Sequence, residues 1–207
     1  MMGPSATAVE SDSAQQTLDA AIITLLPEQG TWSEGDYLWL TSHTNRLVEF
    51  SDGYIEVLPM PTPKHQAISA YLFLAFHALM QRLHGKVFYA PLRLRVRPGT
   101  YREPDLLLLR SADDARQRDD YWEGADLVVE IVSPDDPNRD FVTKRTEYAQ
   151  MGIPEYWIVD PRRETITVLR LADASYGEHG VFGRGTQATS ALFPDFAVSV
   201  DAVFDAH

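Results

Sequence analysis

A carboxylate set inside an apolar strand constrains this chain more than any other feature. The run Asp126-Leu-Val-Val-Glu-Ile-Val-Ser-Pro134 has the aliphatic content of a strand buried on both faces, and Glu130 stands in its middle. An unpaired carboxylate there would be protonated or destabilising, so Glu130 requires a partner. One candidate is an arginine, which would make a structural ion pair. The other is a divalent cation shared with a second acid on an adjacent strand. That second acid is available upstream, where Glu103-Pro-Asp105-Leu-Leu-Leu-Leu109 places Asp105 at the mouth of another apolar run. Asp105 also fits a strand-start acid bonded to nearby amides, so the residues alone leave both readings open. Two acids with a lysine nearby, Lys144, form a pattern that suits metal-dependent phosphodiester chemistry.

Composition narrows the chemistry. The 207 residues, 44% of them hydrophobic, suffice for one domain over 21–207, and the Ser-, Ala-, Thr- and Gln-rich stretch 1–20 reads as a disordered tail. No apolar run approaches the roughly 18 residues of a membrane span. The polar start lacks the parts of a signal peptide, so no membrane association and a cytoplasmic location are expected. Cysteine is absent, which excludes disulfides, thiolate catalysis and Cys-ligated zinc. Any metal should therefore be hard and oxygen-bound.

The net charge of −12 argues against a general nucleic-acid coat. Arg93, Arg95 and Arg97 alternate with Leu92, Leu94 and Val96, so on a strand they share one face. A solvated face paired with some of the 30 acidic groups explains them better than a phosphate track does.

The element pattern is that of an α/β chain. Ser33 caps a short helix, and Asp52-Gly53 joins strands 46–50 and 54–58 in a hairpin. Glu49 and Glu56 flank that turn, with both or neither on one face. A helix from Lys64 carries Ile68, Leu72, Phe76, Leu79 and Leu83 at helical spacing and ends at Gly85. Strands are expected over 86–96, 105–109, 127–132, 155–160 and 165–171. A polar surface connection spans 111–123, and a helix spans 139–151. The strand-helix-strand order around that last helix implies a parallel crossover.

Lys144 has two readings. With Asp140 four residues before it, it fits a surface ion pair worth a few tenths of a kcal/mol. Beside a metal it could instead orient or deprotonate water and neutralise charge on phosphate. Tyr148 lies one turn further on the same face, where core packing is the commoner role. His65, at the start of its helix, reads by itself as a solvent-exposed imidazole. Tyr156 and Trp157 read as core aromatics, and Ser133 lacks the Gly-x-Ser-x-Gly setting of a hydrolase nucleophile.

Taken together, Glu-Pro-Asp105, Val-Val-Glu130-Ile-Val-Ser-Pro, Asp140 with Lys144 and Tyr148, and Glu155-Tyr-Trp-Ile-Val-Asp160 resemble the Uma-two family of the PD-(D/E)XK restriction-endonuclease-like superfamily. Val48-Glu-Phe-Ser-Asp-Gly53 and Met60-Pro-Thr-Pro-Lys-His-Gln66 extend the likeness over about residues 31 to 204. The resemblance implies a central mixed β-sheet flanked by α-helices, with additional N-terminal and C-terminal strands. It further implies a Mg2+-dependent endonuclease, with Mn2+ as substitute metal and DNA as substrate, leaving a 5′-phosphate and a 3′-hydroxyl. Asp105, Glu130 and the main-chain carbonyl of Ile131 would hold the metal, and Lys144 would orient the water. Glu49 and His65 match positions near the cleft and are carried as auxiliary residues. One departure is plain: the lysine usual two residues after the second acid is Val132 here, and Lys144 on the next helix would replace it. A non-cleaving binding or assembly module on the same fold is the alternative, favoured by the acidic composition. A weaker option is an Mg2+-dependent phosphodiesterase acting on a small nucleotide. Oligomeric state stays open, with a twofold homodimer the arrangement that cutting both strands favours.

Overall fold

The computed structural model describes residues 26–207, so the tail expected over 1–20 lies outside the described residues. In chain order the elements are α1 (Glu34–Ser42), β1 (Val48–Ser51), β2 (Tyr54–Val57), α2 (Pro63–Leu83), β3 (Lys86–Tyr89), β4 (Leu94–Arg97), β5 (Thr100–Arg102), β6 (Leu106–Leu109) and β7 (Leu127–Ile131). A π-helical turn (Arg139–Lys144) then runs into α3 (Arg145–Met151). It is followed by β8 (Glu155–Asp160), β9 (Thr165–Ala172), β10 (Ser175–Phe182), β11 (Gln187–Thr189), β12 (Ala197–Ser199) and α4 (Val200–Phe204).

The centre is a six-stranded mixed sheet in the order β10-β9-β8-β7-β6-β3, in which only the β7–β8 pair is parallel. The π turn and α3 supply the crossover between those two strands, as the strand-helix-strand pattern predicts. A second, four-stranded antiparallel sheet has the order β2-β1-β5-β4, with β3 of the central sheet falling between its β2 and β4 in sequence, and β11 and β12 form a small ribbon. This is the expected mixed sheet with flanking helices and extra strands at both ends. Among the described residues no helix is long and apolar enough to cross a membrane.

Side-chain parity divides the central sheet. Leu106, Leu108, Leu127, Val129, Ile131, Trp157 and Val159 pack on the side covered by α2, whose Ile68, Leu72, Phe76, Leu79 and Met80 are buried. Leu107, Leu109, Val128, Val132, Tyr156 and Ile158 pack on the other side against Tyr148 and Ala149 of α3. Strand side chains alternate, so Glu130 belongs with Val128 and Val132 on the α3 side. That parity is what aims the acid at the crossover rather than at the helix α2.

Three local expectations change. Residues 86–96 do not make one strand of the central sheet: β3 pairs with β6 there, whereas β4 joins the other sheet beside β5. Pro91 lies between them and has no N–H to continue a ladder. On α2, Met80 takes the core position expected of Leu83, which is 44% exposed. The left-handed residue ending α2 is His84 (φ 55°), while Gly85 is required because a Cβ there would lie 2.5 Å from the Leu109 carbonyl oxygen. The hairpin turn is as expected, with Asp52 and Gly53 both at positive φ.

Arg93, just before β4, and Arg95 and Arg97 on it are partnered within the chain. Arg95 meets Glu34 at 3.1 Å, Arg97 meets Asp52 at 2.6 Å, and Arg93 donates to the Asp120 carbonyl at 2.8 Å.

Phe76 anchors α2 to the sheet: it is fully buried, stacked on Phe196 at 4.6 Å and set edge-on to Trp157 at 5.4 Å between centroids. Phe76→Ala should therefore cost about 3–5 kcal/mol of stability. Urea unfolding followed by tryptophan fluorescence measures this, and a loss under about 1 kcal/mol would contradict the assigned core.

Candidate functional site

The site begins at the ends of β6 and β7. Leu106 pairs with Val129, so one step further along the antiparallel ladder Asp105 faces Glu130. Asp105 is tied down by the Ile131 N–H, which donates to its Oδ2 at 2.7 Å, and by His65 Nε2, 3.2 Å from its Oδ1. His65 is only 16% exposed at the side chain, so the solvent-exposed imidazole expected of a helix start gives way to a ring directed at a remote acid. Burial works against a charged imidazole, but Asp105 and a hydrogen bond to the Ile131 backbone outweigh it and raise the ring's pKa.

Glu130 meets the crossover on the other side. Tyr148 donates to its Oε1 at 2.6 Å, and Lys144 Nζ lies 3.0 Å from the same atom. The ammonium also lies 3.2 Å from Glu49 Oε1 and 3.5 Å from Asp140 Oδ1. The Glu49 contact is an ion pair between two buried side chains. Lys144, Glu130, Glu49 and Asp140 are all buried. The surface ion pair considered for Asp140 and Lys144 is thus replaced by a buried group of three acids around one lysine. The π turn that carries both residues is held to the sheet by Tyr156, whose hydroxyl donates to the Asp140 carbonyl at 3.1 Å.

The charges are not balanced. Burial, and next the neighbouring acids Asp140, Asp105 and Glu49, push the Glu130 carboxyl up against the pull of Lys144. Asp140 is raised by burial and by Asp105 and Glu49. Glu49 goes the other way: burial opposes its charge, but Lys144, Arg102 and Arg139 together hold it below the ordinary carboxylate range. Burial also opposes the Lys144 charge, yet Glu130, Glu49 and Asp140 hold it well above the usual amine range. The lysine is therefore firmly an ammonium. Glu103, behind the site, accepts from the Val48 N–H at 2.9 Å and is pushed up to about 7, chiefly by burial.

Asp105, Glu130, Ile131, Lys144 and His65 all line one cleft of about 230 Å³, whose outer wall includes Glu56, Asp135, Asp136 and Arg139. Glu49 stands behind the lysine and pairs in register with Glu56, so the hairpin carries both acids on one face. Opposed like charges are unfavourable. They are relieved by Lys144 and Arg102 at Glu49 and by Arg139 at Glu56. Val132 is buried in the core. Sequence reasoning missed Arg102, which makes a two-pronged contact with Glu147 (2.6 and 2.8 Å) and lies 3.5 Å from Glu49. It also missed the burial of Asp140, whose one signal was the four-residue spacing Asp140, Lys144, Tyr148 that sets all three on a common face. Among the described residues, no group of three or more His, Cys, Asp or Glu side chains is arranged to hold a metal ion.

The six-stranded mixed sheet with its crossover and flanking helices is a nuclease-like α/β fold. Residues 35–201 match the Uma2 family model, described as "Putative restriction endonuclease", and the chain belongs to that family. Among solved structures, a protein from Anabaena variabilis described as a "putative nuclease belonging to DUF820" has a similar fold. The TM-score is 0.64 at 21% identity, over 78% of this chain and 91% of that one. No curated protein matches.

Removing the ammonium should leave three buried carboxylates facing one another. Lys144→Met is expected to cost about 3–5 kcal/mol, and adding Glu130→Gln should recover a substantial part of it. Chemical denaturation of the four proteins in this cycle gives the coupling. Strictly additive losses would show that the two residues do not share a charge interaction.

Proposed function

We propose that this chain is an Mg2+-dependent endonuclease hydrolysing DNA phosphodiester bonds. The observation supporting it most directly is the opposition of Asp105 and Glu130 in one cleft, with the Lys144 ammonium 3.0 Å from Glu130. The residues suit a hard dication in donor type and in charge. Glu49, Glu130 and Asp140 surround a single ammonium, an excess of carboxyl groups over cations that a divalent cation at Asp105 and Glu130 would relieve. Two side-chain ligands are few, but Mg2+ characteristically takes one or two carboxylates and fills its remaining positions with water and substrate phosphate. Asp105, Glu130 and the Ile131 carbonyl would hold it, with Mn2+ as a substitute.

The metal, when bound, supplies Lewis-acid polarisation of the phosphoryl group and acidifies water. The protein side chains divide the remaining work. Lys144, held by its acids, donates to the attacking water and offsets charge building on the phosphate. Tyr148 fixes the Glu130 carboxylate, Glu49 anchors the lysine from β1, and His65 with the Ile131 N–H fixes Asp105. DNA and, for cutting of both strands, a second copy of this chain are the partners this reading implies. A second reading, a non-cleaving binding or assembly module, is favoured by the net charge of −12 and by the internal pairing of Arg93, Arg95 and Arg97.

Calorimetric titration should show Mg2+ or Mn2+ binding at millimolar metal in the wild type and its loss in Asp105→Asn. A saturating metal at about 100 times its dissociation constant should add about 2.7 kcal/mol of stability. No metal binding in the wild type would sink the catalytic reading. Plasmid nicking should require the metal and fall at least about 100-fold in Lys144→Met, assayed at a temperature where that variant remains folded. Metal binding without cleavage of plasmid or single-stranded DNA would favour the non-cleaving module.

A further inference from the structure

Beside the cleft lies a second hollow, of about 500 Å³, that shares His65, Asp105, Leu47 and Pro61 with it. Its walls differ in kind. Met60, Phe73 and Tyr89 supply apolar and aromatic surface, Asn45 and Gln66 supply side-chain amides, and none of the residues lining it is Lys or Arg. Tyr89 is 56% exposed and Met60 67%, yet Tyr89 is not loose: its ring is braced edge-on by Phe73 with centroids 5.1 Å apart. The remaining wall of the cleft carries the exposed acids Glu56, Asp135 and Asp136, with Arg139 paired to Glu56.

These two sides admit different things. An acidic wall repels a phosphate backbone, and the arginine row of β4, the nearest approach to a basic track, is already partnered. A duplex, with a backbone on each side, gains little here. A strand arriving from the apolar side needs only one phosphate at Asp105 and Glu130 and can place its neighbouring base in the hollow. A base has an aromatic face for Tyr89 and Met60 and a donor-acceptor edge for amides such as Asn45 and Gln66. The hollow falls within the roughly 300–1,000 Å³ usual for small-ligand sites. Stacking on exposed aromatic rings is how single strands are held without base pairing.

We infer that this hollow binds an unpaired nucleobase adjoining the phosphate at the cleft, so that the substrate is single-stranded DNA or the unpaired part of a longer one. The inference rests on the nuclease reading for its placement of the phosphate, but the pocket can be tested apart from cleavage.

Fluorescence anisotropy with the full chain, in EDTA and again with Mg2+, would compare a short labelled single strand with the same sequence as a blunt duplex. Tighter binding of the single strand is expected. Tyr89→Ala should weaken it by roughly 5- to 150-fold, and Tyr89→Phe should restore it. Val181→Ala is the control: Val181 is 53% exposed on β10, the edge of the central sheet opposite β3, and its change should leave binding as in the wild type. Thermal unfolding of each variant checks that the exposed positions leave the fold intact. Equal or tighter duplex binding, no oligonucleotide binding, or a single-strand affinity indifferent to Tyr89→Ala would each overturn the inference. Cleavage of plasmid and of single-stranded DNA in Mg2+, measured alongside, separates the two readings. Cleavage with Tyr89-independent binding leaves the nuclease and removes the pocket, whereas Tyr89-dependent binding with neither DNA cleaved keeps the pocket and removes the nuclease.

Discussion

The buried Lys144 ammonium is the contact around which the rest of the site is organised. It touches Glu49 from the four-stranded sheet, Glu130 from the central sheet and Asp140 from its own π turn, so one charge joins three separate parts of the chain. At about 3 Å and an effective dielectric of roughly 20, each such contact is worth on the order of 5 kcal/mol before desolvation. Desolvation costs several kcal/mol for each group that stays charged, and burial pushes Glu130 and Asp140 toward the neutral form. Gains and costs therefore nearly cancel, and the acids around the lysine repel one another besides. What the cluster does achieve is position. The lysine and its three acids are all buried, and Tyr148 holds Glu130 from the adjoining turn.

Sequence periodicity revealed most of the central sheet because the residues concerned obey local rules. The aliphatic run around Glu130, the Asp52-Gly53 turn and the polar-apolar spacing of α2 each report a backbone state through their own side chains. What could not be read locally was burial and partnership. The spacing of Asp140 and Lys144 shows that they share a face, but whether that face meets water depends on Glu49 and Glu130, which are remote in sequence. His65 looks exposed until Asp105 is placed beside it. Arg102 carried no signal at all, since its contacts with Glu147 and Glu49 are set by the packing of the four-stranded sheet against α3. The division of residues 86–96 between two sheets is the converse case: Leu94 and Val96 alternate as a strand should, and nothing in that alternation says which sheet they join.

Position of the lysine follows from the same geometry. Val132 has the parity of Glu130 and would be a natural place for a lysine beside the acids, yet it packs among Leu109, Val128 and Ile158. A lysine from the crossover reaches Glu130 from the far side of the cluster and leaves that core position apolar. The cost is that the π turn must be held in place, and Tyr156 from β8 supplies the contact that holds it.

The same charge arithmetic bears on how an acidic chain could act on a polyanion. At the cleft, the carboxyl groups of Asp105, Glu49, Glu130 and Asp140 outnumber the Lys144 ammonium and the Arg139 guanidinium, and Arg102 divides its charge between Glu49 and Glu147. A phosphate would be repelled from such a cleft, and a dication at Asp105 and Glu130 would reverse that locally by neutralising two carboxylates and leaving Lys144 with fewer competitors. On the proposed reading, metal and phosphate then enter as mutually dependent ligands, each improving the site for the other. Such dependence removes the need for a basic track, because charge attraction is switched on only where the metal sits. It also transfers the remaining work of holding the strand to uncharged surface, and the hollow beside that point presents the exposed side chains of Tyr89 and Met60.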